Sequence, residues 1–159
     1  MRYLSGNEKE DALGYIEIAS KVALNSNCKR ARCGSIIVKN NEIIGQGFNS
    51  PPLNICLKEC LKDSLPKNFK SDKTCCMHAE QRAIFEALKQ KPKELENSTI
   101  YFIRLDEKGN KEFAGKPFCT ICSKATLDSG ISEFVLYHES GICIYNTKEY
   151  NELSFQYKE

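Results

Sequence analysis

With 159 residues, 41% hydrophobic and 28% charged, the chain is long enough to bury a core of its own, and one domain over 1–159 is expected. A formal net charge of +2 is too small to argue by itself for a nucleic-acid or membrane surface. No apolar run reaches the length of a membrane span and MRYLSGNEKED lacks the pattern of a signal peptide, so the cytoplasm is the expected compartment.

Taken in chain order, Leu13, Ile16, Ala19, Val22 and Ala23 recur at helical spacing and predict a first amphipathic helix from Glu10 to Asn25. After the basic stretch CKRARC come SIIVK and EIIGQGF, two β-rich runs divided by Asn40-Asn41, which predict an antiparallel hairpin. Residues 49 to 74 hold Pro51, Pro52 and Pro66 without a clear period and are expected to be a long loop with a helical turn or two. Ala79, Ala83, Ile84, Ala87 and Leu88 form the apolar face of a second helix that stops before Pro92. STIYFIRL is a third strand, and the polar DEKGNKEFAGK an excursion or small hairpin. A helix from about Cys119 to Ser129 ends at Gly130. SEFVLY is a fourth strand, with a short strand or helix after it. Strands and helices in this order predict an α/β fold, a mixed sheet with helices on both faces.

Nine cysteines, odd in number and irregularly spaced, argue against a disulfide framework. Some are expected to pack as small apolar groups, Cys143 in GICIYN among them, and others are candidates for zinc. The chemistry concentrates in CCMHAEQRAI and FCTIC. In FCTIC the helix start sets the Cys119 and Cys122 sulfurs one turn apart on one side, where the helix N-terminus favours thiolates. His78, one of two histidines, would make a third ligand, leaving the fourth position of a tetrahedral zinc open for water. Zinc lowers the pKa of such a water to about 7, and Glu80, two residues past the histidine, can reach it without being a ligand. That equipment suits hydrolytic attack on an amidine-like carbon.

Each half alone is ordinary. Many helices begin with His-x-Glu, and Cys-x-x-Cys also serves structural zinc half-sites, redox pairs and plain packing. Both together, each at a predicted helix start with a predicted strand between, are a much rarer arrangement. The competing reading is a non-catalytic zinc module in which His78, Cys119 and Cys122 are closed by a fourth residue such as Cys75 or Cys76.

His-x-Glu with Pro-Cys-x-x-Cys is the signature of zinc deaminases, and on these residues the chain resembles the zinc-dependent cytidine and deoxycytidylate deaminase superfamily. CGSIIVKNNEIIGQGFNSPP is similar to that family's hairpin, and HAEQRAI to the HAEQNAI form of deoxycytidylate deaminases. The resemblance implies His78, Cys119 and Cys122 as zinc ligands and Glu80 as proton shuttle. It implies Asn49 as a substrate contact and the backbone of Ala79 as a contact to the base. It further implies a three-layer α/β/α sandwich around a five-stranded mixed sheet, a homo-oligomer of two or more copies, and hydrolysis of dCMP to dUMP. Other bases, nucleosides, or a base within RNA or DNA are the alternative substrates.

Two features depart from the family pattern. Pro117 stands one residue early, which places Phe118 against the pocket, and the 106–116 excursion lengthens the approach to Cys119. Lys29, Arg30 and Arg32 are candidates to hold a 5′-phosphate, with a solvated basic turn as the plain reading of any one of them. Cys56, Cys60 and Cys75 or Cys76 are candidates for a second, structural zinc, as some relatives carry; packing cysteines are the competing reading.

Overall fold

The computed structural model describes residues 1–28, 30–66 and 74–156. The first half holds β1 (Arg2–Tyr3), α1 (Gly6–Ala23), β2 (Arg32–Lys39), β3 (Glu42–Phe48) and α2 (Ala79–Gln90). The second half holds β4 (Thr99–Leu105), β5 (Lys111–Glu112), α3 (Thr120–Asp128), β6 (Glu133–His138), β7 (Gly141–Asn146) and α4 (Thr147–Gln156). The loop after β3 carries the expected short helical turns, at Pro52–Asn54 and Leu61–Ser64. Among the described residues no helix is long and apolar enough to cross a membrane.

Asn40 and Asn41 take positive φ values of 50° and 63°, the turn a two-residue hairpin needs and asparagine tolerates. The predicted hairpin therefore closes, with Ile36 opposite Gln46. Strands β7-β6-β4-β2-β3 lie side by side and make the expected mixed sheet, β4 and β6 being its parallel pair. The sheet is nevertheless larger than the five strands expected. β1 extends it beyond β7 and β5 pairs the end of β4, giving seven strands among the described residues. Each added strand is two residues long, too short to show an alternating pattern in sequence.

The alternation of β4 sorts the core into two layers. Tyr101, Ile103 and Leu105 pack with Ile16 and Ala19 of α1, whereas Ile100 packs with Ala83 and Ala87 of α2 and with Phe134. The helices begin and pack slightly differently from expectation. α1 starts at Gly6 rather than Glu10, and Leu13 is 38% exposed while Ala12 is buried. Leu88 is likewise 47% exposed while Ala87 is buried. The reason is close approach. A Cβ on Gly34 of β2 would lie 2.1 Å from the Ala19 carbonyl oxygen, so α1 sits almost on the strand and alanine, not leucine, fits between them.

The same device seats α2. A Cβ on Gly47 would lie 2.4 Å from the carbonyl oxygen of Ala79 and 2.5 Å from the amide nitrogen of Ala83. Gly47→Ala is expected to push the start of α2 away from β3 at a cost of about 1–3 kcal/mol. Thermal unfolding checks this, and an unchanged melting temperature would show that the helix yields freely.

Candidate active site

Two helix starts meet on the α2 side of the sheet. His78 is the N-cap of α2, in extended backbone, and its N–H donates to Oε1 of Gln81 at 3.0 Å. Cys119 is the N-cap of α3, and its sulfur accepts from the Cys122 N–H at 3.4 Å. These local bonds satisfy free helix-end groups and aim both caps at one point. Nδ1 of His78 lies 3.1 Å from Sγ of Cys122 and 3.3 Å from Sγ of Cys119. The three donor atoms all fall within 4.8 Å of one another, the only such metal-binding group among the described residues.

The donor set fits zinc. Bond lengths of about 2.0–2.1 Å to nitrogen and 2.3 Å to sulfur in a tetrahedron put the ligand atoms roughly 3.5–3.8 Å apart, within a few tenths of an ångström of the separations to Nδ1. Two sulfurs with one imidazole are also the chemistry zinc prefers. Neither Cys75 nor Cys76 belongs to the group, so neither of these two cysteines closes the fourth corner.

Protons are shared unevenly among the three. A hydrogen bond from the Cys122 thiol, supported by His78, holds Cys119 down at about 4 despite burial. The hydrogen bond to Cys119 in turn lifts His78 to about 9. Cys122 is pushed well above the usual thiol range by its bond to Cys119, by burial and by the charge of Glu80. A bound cation displaces such protons and takes their place. Glu80, in the first turn of α2, is only 5% exposed, and burial raises its carboxyl above the usual range while His78 opposes the shift.

His78, Glu80 and Cys119 line a cavity of about 630 Å³, with Cys122 fully buried beside them, a volume typical of small-molecule sites. Asn49 and Ala79 also line it. The amide of Asn49 is engaged with the start of β2 and the residue before it, since Oδ1 accepts from Cys33 N–H at 2.7 Å and Nδ2 donates to the Ala31 carbonyl at 2.9 Å. Arg30 lines the wall too and pairs with Asp63 at 3.2 Å. Arg32 stands instead at the start of β2, opposite Leu105 and away from the lining. Lys29 lies outside the described residues.

The candidate second zinc set is only partly brought together. Cys60, Cys75 and Cys76 share the cavity wall with Cys28, whereas Cys56 is exposed and off it. The sulfurs of Cys75 and Cys76 are 3.8 Å apart. A hydrogen bond with Cys76 draws Cys28 down to about 5 against burial.

Several lining groups were not singled out from the sequence: Lys62, Arg104, Phe113, Lys116 and Tyr150. The available signal was the polar 106–116 stretch. It folds back along β4, Arg104 meeting Glu112 at 2.6 Å, and the ring of Phe113 packs on Tyr137 at 5.0 Å. Phe118 lines the cavity and is 54% exposed, in keeping with the shifted proline.

The family model described as the cytidine and deoxycytidylate deaminase zinc-binding region matches residues 9–138. The deoxycytidylate deaminase of Saccharomyces cerevisiae is 30% identical over 131 residues, which cover 79% of this chain. The chain spans 36% of that yeast protein's length. The deoxycytidylate deaminase of Mycobacterium phage D29 is 27% identical over 135 residues, 79% of this chain and 93% of the phage protein. Among solved structures, the dCMP deaminase of cyanophage S-TIM5 in complex with dCMP and dUMP superposes with a TM-score of 0.53. It is 23% identical, with 83% of this chain and 82% of that one covered, a likeness of fold.

Proposed function

We propose that this chain, which belongs to the cytidine and deoxycytidylate deaminase zinc-binding family, is a hydrolytic deaminase of a pyrimidine nucleotide, converting dCMP to dUMP with release of ammonia. The observation that carries the reading is the convergence of His78, Cys119 and Cys122 at the wall of the cavity that the buried Glu80 also lines.

His78, Cys119 and Cys122 would hold the zinc, which when bound supplies Lewis-acid activation of water. The remaining work falls to the chain itself. Hydrolysis adds water at C4 of the pyrimidine and expels the amino group as ammonia, so protons must travel from the water to the ring nitrogen and to the departing amine. Glu80 is the group that carries them. Buried and close to the ligand set, it holds a proton more readily than an exposed carboxylate does. The backbone of Ala79, at the start of α2 in the cavity wall, contacts the base. The lining by Phe102, Phe113 and Leu136 supplies apolar surface for a flat ring.

Positive charge supports a nucleotide over a free nucleoside. Arg30, Lys62, Arg104 and Lys116 all line the cavity, and such groups match a phosphate. The curated relatives compared above bear the name deoxycytidylate deaminase, which points to the same substrate. An assembly of two or more copies belongs to the proposal, supported by Phe85 and Leu88, half-exposed one turn apart on α2. A reducing cytoplasmic setting does too, supported by nine free cysteines.

The test is ammonia release by the zinc-loaded chain from dCMP, CMP, deoxycytidine, cytidine, guanine and a tRNA pool. The expected outcome is turnover of dCMP above every other compound. Absence of turnover with any cytosine nucleotide would overturn the proposal.

A further inference from the structure

Tyr150 lies outside the stretch that the family model matches and has no part in the mechanism above. It is 5% exposed on α4. Its ring is stacked on Phe134, with centroids 4.0 Å and planes 9° apart, and meets Tyr145 edge-on at 5.7 Å. The ring is therefore held in place from two sides. Its hydroxyl makes no hydrogen bond among the described residues. Among the described residues, the sealed polar side-chain atoms without a partner are Asn27 Oδ1, Arg82 Nε and Thr126 Oγ1, and the Tyr150 oxygen is not one of them. A hydroxyl that is neither bonded nor sealed must border open space. The space Tyr150 lines is the cavity that holds His78, Glu80 and Cys119.

A phenylalanine would keep the stack without bringing a polar atom into the core, where a hydroxyl without a partner is a net cost. Tyrosine is worth that cost where one end of the ring is buried and the other meets a polar group. Burial holds the phenol protonated, so it stands as a donor.

We infer that the Tyr150 hydroxyl donates a hydrogen bond to the pyrimidine bound in the cavity, making the C-terminal helix part of the substrate site. This rests on the deaminase reading and adds a specificity-determining residue to it. α4 follows β7 directly, so the strand delivers this donor to the floor of the cavity.

The experiment compares the wild-type chain with Tyr150→Phe, both zinc-loaded. It reads kcat and KM for dCMP, affinity for dUMP by calorimetry, zinc content and melting temperature. Loss of one hydrogen bond to a bound ligand is expected to lower kcat/KM and dUMP affinity each about tenfold, with KM carrying most of the change. Zinc content and melting temperature should hold. An active wild type whose Tyr150→Phe variant stays within twofold in both kcat/KM and dUMP affinity overturns the inference and leaves the deaminase reading standing. A lower melting temperature with unchanged kinetics and affinity does the same by assigning the hydroxyl to the core. A wild type that binds dUMP without turning over dCMP sinks the deaminase reading, and the variant's dUMP affinity then decides the role of Tyr150. A wild type that neither turns over dCMP nor binds dUMP overturns both.

Discussion

Glu80→Gln is expected to lower dCMP turnover by about 10²–10⁴-fold, the range for removing a positioned acid–base group, while zinc content stays at that of the wild type. Glutamine keeps the volume of a side chain that is 5% exposed, so packing at the first turn of α2 is preserved. What is lost is the ability to take and return a proton. Stability should not suffer, because burial already disfavours the charged carboxyl and an amide carries no charge to desolvate. Ammonia release, metal analysis and thermal unfolding on one preparation read all three quantities. Full activity in this variant would remove Glu80 from the mechanism and return the zinc-module reading to the front.

The second large effect is expected at the ligands. His78→Ala should lose stoichiometric zinc and fall below detectable turnover. It should also lower stability, because a metal that binds only the folded chain stabilises it by mass action. At a free metal concentration about 1,000 times the dissociation constant this contribution is about 4 kcal/mol, on the order of 10 °C in a chain of this size. Wild type stripped with a chelator is the matched control, since His78 also begins α2 as its N-cap. Its melting temperature should fall by a similar amount, and re-addition of zinc should restore wild type but not the variant. Retention of stoichiometric zinc by His78→Ala would overturn the ligand assignment.

Much of this site was legible along the chain because its parts are local. Cys119 and Cys122 are one helical turn apart, and Glu80 follows His78 in the first turn of the same helix; such spacings are properties of a helix end rather than of a fold. The hairpin was equally legible, because Asn40 and Asn41 select its turn. β1 was not, since a two-residue strand exists only through the partner it pairs with, whereas β5 answers to the small hairpin that was one of the two readings of the 106–116 stretch. Leu13 and Leu88, expected on the inward faces of α1 and α2, are exposed for a related reason. Hydrophobicity favours leucine, but the glycines on the facing strands leave room only for a methyl group.

The sequence by itself determined the chemistry available, a ligand set suited to zinc with a carboxyl beside it, because ligand type and intrahelical spacing need no tertiary contact. Only the tertiary structure decided that His78 and Cys122, 44 residues apart in the chain, meet at 3.1 Å. That meeting depends on α3 crossing between the parallel strands β4 and β6, and on α2 lying against the glycines of β3. The tertiary structure also chose the walls. It turned Arg104, Lys116 and Tyr150 into the same cavity and left Arg32 and Cys56 outside it, because which side chains face a shared space follows from how the sheet and helices pack.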